Sequence, residues 1–148
     1  MEKLTEIYNE LIAMGALIFH GSYGLSGSCD STTIKVDGRF GVFMDDAKIR
    51  TRAQELDAAS HEWAHIVSDA TYGVDAPPAV RMKAETRATR TQIERVIPYV
   101  EMLKAMRTGD ATAFALAERF GIPEELVHKA YDYYTGPCGL TFRPKRTG

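Results

Sequence analysis

The pentapeptide His61-Glu62-Trp63-Ala64-His65 can bring its two imidazoles together only as a helix. At 3.6 residues per turn, positions four apart lie one above the other on the same face. The five residues therefore ask for a helix in the middle of the chain, with one face able to hold a divalent ion. Glu62, rotated by about 100° from His61, can approach a water on that ion without displacing a histidine.

A catalytic zinc takes three protein ligands and keeps one position open. The pentapeptide supplies two. Ser68 and Thr71 stand where an extended metzincin motif needs glycine and histidine, so that branch is closed. His20 and His128 are the other histidines. The alternative third ligand is a carboxylate from the following helix, and Glu85, twenty residues after His65, meets that need if a turn lays the two helices side by side. The competing reading is plain: histidines four apart on a surface helix, and Glu85 paired with Arg81 one turn away.

The rest of the chain predicts an α+β fold, mainly helical, with a small β-sheet or hairpin before the HExxH helix. Apolar residues from Leu4 to Ile18 recur at helical spacing. The glycines of "HGSYGLSGS" then mark a loop. "TTIKVDGRFGVFM" reads as two strands around Asp37-Gly38, a dipeptide suited to a tight hairpin. A helix follows from about Ala53 to Thr71, with Gly73 as terminator, and another from about Ala79 to Ile97, ended by Pro98. "YVEMLKAMR" adds a short helix. "TGDATAFALAERFG" starts from a cap at Asp110 and stops at Gly121. "IPEELVHKAYDYY" is the last helix. One domain over 1–135 is expected, its helical C-terminal part covering about 98–135, with an irregular tail at 136–148.

Composition narrows the function classes. The 148 residues carry a net charge of −2, with no basic excess to grip nucleic acid. Cys29 and Cys138 lie outside any C-x-x-C, which excludes a zinc ribbon or a redox pair; two free thiols are expected, with one disulfide as the alternative. The acidic N-terminus does not read as a signal peptide, and no apolar run spans a bilayer. A cytoplasmic protein with no membrane partner is the expectation. Lys83, Arg87 and Arg90 share the face opposite Glu85 and read as solvated.

These motifs together resemble the ImmA/IrrE family of small zinc-dependent peptidases found in bacteria and their prophages. The likeness covers about residues 4–135. "HEWAH" matches the family's HExxH. "ETRATRTQIERVIP" resembles its second motif, a liganding glutamate followed by alanine at +3 and proline at +13, here Glu85, Ala88 and Pro98. "ALAERFGIPEELVHKAYDYY" resembles the closing helical pair of prophage members. The chain departs from the pattern at Thr89, where many members have asparagine, and at Thr91 and Gln92, where many have Phe-Ala.

The resemblance implies a gluzincin-like zinc endopeptidase acting on one protein, often a helix-turn-helix transcriptional repressor of a phage or mobile element. His61, His65 and Glu85 would hold Zn2+, and Glu62 would be the general base. Thr89, one turn beyond Glu85, is placed to hydrogen-bond a ligating histidine. The oxyanion needs a further donor, for which Tyr72, His128 and Tyr131 are candidates, with Tyr133 and Tyr134 behind them. An extended peptide can pair with a free edge of the sheet. Two other functions compete. A DNA-binding regulator is suggested by the helix pair at 110–134, although Glu124, Glu125 and Asp132 would repel phosphate. An interaction protein or toxin component with a structural zinc would close its site with four protein ligands.

Overall fold

A computed structural model describes residues 2–25, 27, 29–73 and 75–143. Among the described residues, six helices and a three-stranded sheet form an α+β, mainly helical structure. Two compact units share the chain, Met1–Gln92 and Ile93–Gly148.

In the first unit α1 (Lys3–Ala13) buries Leu4, Ile7 and Leu11, one stripe at helical spacing. The periodicity predicted a helix continuing to Ile18, and the structure corrects this. Gly15 takes φ 82°, its N–H donates to Ile12 O, and the Ala16 N–H donates to Leu11 O. This pair of bonds closes the last helical carbonyls and turns the chain out, a cap that glycine makes without a steric penalty. Leu17–Gly21 becomes strand β1. His20 and Gly21, expected in a loop, therefore belong to the sheet.

Strands β2 (Ser31–Val36) and β3 (Arg39–Asp45) form the hairpin read from the sequence. Asp37 and Gly38 both have positive φ, 50° and 76°. That conformation matches the twist of the flanking strands. β1 joins parallel to β3, so the order is β1-β3-β2, with β2 at an edge. Ser31 lies opposite Met44 and Thr33 opposite Val42. Val42 and Met44 are fully buried. The two hydroxyl side chains thus share the inner face of the sheet.

α2 (Arg52–Val67) starts from a reciprocal cap: Thr51 accepts from the Gln54 N–H, and Gln54 accepts from the Thr51 N–H. It ends at Val67, not at Thr71. Asp69, rather than Gly73, takes the left-handed position, at φ 52°. The Asp69 N–H donates to Ile66 O and the Ala70 N–H to His65 O. α3 (Pro78–Val96) follows.

The second unit holds the end of α3, α4 (Tyr99–Arg107), α5 (Ala113–Phe120) and α6 (Glu124–Thr135). Pro98 is the extended break between α3 and α4. Thr112, not Asp110, caps α5 by accepting from the Ala115 N–H, and Asp110 instead pairs with Arg119. Gly121 ends α5 in the left-handed conformation. Gly136–Arg143 is irregular, and Phe142 packs against Tyr99 and Tyr131. No helix among the described residues is long and apolar enough to cross a membrane.

Candidate metal centre

His61 and His65 lie on the last turns of α2 and Glu85 on α3, all within the first unit. One ligand atom from each falls within 4.8 Å of the others. His61 Nε2 is 2.8 Å from Glu85 Oε2, His65 Nε2 is 3.2 Å from Glu85 Oε1, and the two Nε2 atoms are 3.2 Å apart. With zinc–nitrogen bonds near 2.0–2.1 Å, two ligands of a tetrahedral ion stand ~3.3 Å apart. The spacing of the three side chains fits that polyhedron with little movement.

The tautomers fit as well. Gln92 is 1% exposed. Its amide nitrogen donates to the Asp57 backbone and carboxylate oxygens and to Ser60 Oγ. Its amide oxygen is left to accept, so the His61 Nδ1 atom 3.1 Å away must carry the proton. His65 Nδ1 lies 2.7 Å from the Ala70 carbonyl, which can only accept, so it too is protonated. Both lone pairs then sit on Nε2, aimed at the common point. Such outer partners set ring angle and ligand basicity.

Both Nε2 atoms also face the Glu85 carboxylate, which favours a proton on them over bare lone pairs. Burial disfavours the His61 imidazolium, but the hydrogen bond to Glu85 and the charges of Glu62 and Glu85 outweigh it and lift the group to about 9. His65 is raised as well, against burial, chiefly by its hydrogen bond to Glu85. Burial likewise opposes the Glu85 carboxylate, yet the two histidines and Tyr72 hold it well below the usual range.

Of the donor candidates, Tyr72 stands at the cluster. Its hydroxyl donates to Glu85 Oε1 at 2.8 Å, and its ring centre is 6.3 Å from that of His65. Burial and the Glu85 carboxylate push its ionisation up to about 12, so it stays a donor at neutral pH. His128, Tyr131, Tyr133 and Tyr134 lie on α6 in the second unit, the first two exposed; Tyr134 is buried and bonded to Ile97 O. Arg81 lies over the Tyr72 ring and donates to Ala76 O. Lys83, Arg87 and Arg90 are exposed. Cys29 and Cys138 are free thiols.

The role expected of Thr89 falls to Gln92. The outer nitrogens of the two histidines are engaged by Gln92 and Ala70 O, not by Thr89. Gln92 is seven residues after Glu85, two turns along the same face, and that spacing was the signal available in the sequence. Ser31 and Thr33 were also unforeseen. Their hydroxyls donate to the two oxygens of Glu62 at 2.6 and 2.8 Å. No family model, curated protein or solved structure matches the chain.

Gln92→Leu keeps the volume but frees His61 Nδ1. Zinc affinity should fall about ten- to a hundredfold, measured by competition with a chromogenic chelator; an unchanged affinity would mean that Gln92 does not orient the ring. The protonated His61 contributes stability to the metal-free fold because its folded value lies above the unfolded 6.5. That contribution is whole below pH 6.5 and is lost as pH rises through about 9. Thermal unfolding with a chelator present should show the midpoint falling across this window, and His61→Gln should flatten the fall. Parallel curves for the two proteins would remove the pair as its cause.

Proposed function

We propose that the chain is a zinc-dependent endopeptidase of the ImmA/IrrE kind, acting in the cytoplasm on one protein substrate. The observation that carries this reading is the convergence of two Nε2 atoms and one carboxylate at the spacing of a tetrahedral ion. Among the described residues the cluster numbers three. That count supports the catalytic pattern, with a corner left for solvent, over a structural site closed by four ligands.

His61, His65 and Glu85 would hold the ion. Zinc bound there supplies Lewis acidity, lowering the pKa of a water and polarising the scissile carbonyl. Glu62 takes the proton from the attacking water and returns it to the leaving amine. The Tyr72 hydroxyl is the donor for the oxyanion, turning from Glu85 Oε1 towards the substrate. The free edge of β2 offers backbone groups to an extended peptide. The proposed substrate is a helix-turn-helix repressor of a phage or mobile element, a reading that rests on the family resemblance. The exposed Glu124, Glu125 and Asp132 of α6 speak against direct DNA binding.

Two variants test the site. Glu62→Gln should retain about one zinc per chain and lose hydrolysis by a factor on the order of a hundred or more. Metal analysis alongside cleavage of candidate repressors reads both, and undiminished cleavage would remove Glu62 as the base. Glu85→Ala should lower zinc content well below that of the parent after dialysis. If the content stays the same, the third ligand lies elsewhere.

A further inference from the structure

Glu62 is 2% exposed, and water does not solvate its charge. A carboxylate so placed is costly unless hydrogen bonds replace its hydration. Both replacements come from one strand. Ser31 Oγ donates to Oε2 at 2.6 Å, and Thr33 Oγ1 donates to Oε1 at 2.8 Å. The two residues alternate along β2, so both side chains project from the inner face of the sheet. Each hydroxyl has a single proton to give; Asp30 also stands beside Ser31, but the 2.6 Å contact directs the Ser31 proton to Glu62. With a donor on each oxygen, rotation of the carboxylate about its last bond is blocked. Each oxygen still has a second lone pair able to accept a proton.

We propose that Ser31 and Thr33 are positioning residues, which fix the orientation of the Glu62 carboxylate for proton transfer. The inference rests on the hydrolase reading given above. It adds a tie between the sheet and the base: α2 sets where Glu62 stands, and β2 sets which way its carboxylate faces. The hydrogen bonds of both hydroxyls go to Glu62 and not to His61, His65 or Glu85, so the effect expected is on turnover and not on metal retention.

The test uses Ser31→Ala and Thr33→Val, with Ser31→Thr and Thr33→Ser as hydroxyl-retaining controls. On the zinc-loaded full chain with the candidate repressors as substrates, each hydroxyl deletion should lower kcat about tenfold or more. KM and zinc content should hold, and the controls should recover most of the rate. A second readout needs no activity. In the metal-free protein each deletion should lower the unfolding midpoint by a few degrees, and much less when Glu62→Leu is already present. Unchanged kcat, a change confined to KM, or equal midpoint losses in both backgrounds would overturn the proposal. If the parent protein cleaves nothing, the hydrolase reading fails, and the unfolding comparison alone decides whether the hydroxyls hold Glu62.

Discussion

Two imidazole nitrogens 3.2 Å apart, both against one carboxylate, are the constraint on which the candidate site depends. Such an arrangement repels itself unless a cation or a proton lies between. The Glu85 carboxylate stands against both nitrogens and makes the spot more attractive to positive charge. The outer nitrogens are already committed as donors to Gln92 and Ala70. Neither ring can escape the conflict by changing tautomer without breaking a hydrogen bond. The arrangement favours positive charge at this spot, and the raised His61 value, set by Glu85 and Glu62 against burial, expresses the same preference.

The partners of these rings arise from ordinary local structure. α2 ends in a left-handed turn at Asp69, which folds the backbone so that Ala70 N–H reaches His65 O. The same turn brings the Ala70 carbonyl to His65 Nδ1. Helix termination and ligand orientation are one event there. On the other side, α3 supplies Glu85 and Gln92 two turns apart, and they grip His61 at its inner and outer nitrogens. A ring held at both nitrogens from one helix has little freedom to turn.

Glu62 connects the helix to the sheet. His61 just before it and His65 three residues after it converge with Glu85, while the Glu62 carboxylate reaches β2. β2 is also an edge strand. The geometry that holds the Glu62 carboxylate therefore depends on the hairpin register, and that register follows from the turn at Asp37 and Gly38.

The amino-acid sequence by itself determined the parts whose physics is local. The spacing of His61 and His65 demanded a helix and put both on one face. Asp37-Gly38 between β-rich runs demanded a hairpin, and Pro98 and Gly121 stopped helices where the backbone must change direction. Glu85 was singled out from spacing and family likeness, and it lies beside both histidines. Only the tertiary structure decided what depended on distant contacts or on cap geometry. It ended α1 at Gly15 and made Leu17–Gly21 a strand, because pairing with β3 outweighed a continued helical stripe. It chose Gln92 over Thr89, because Asp57 and Ser60 sit where they consume the amide donors. It set Ser31 and Thr33 against a glutamate about thirty residues away, a contact that no periodicity encodes.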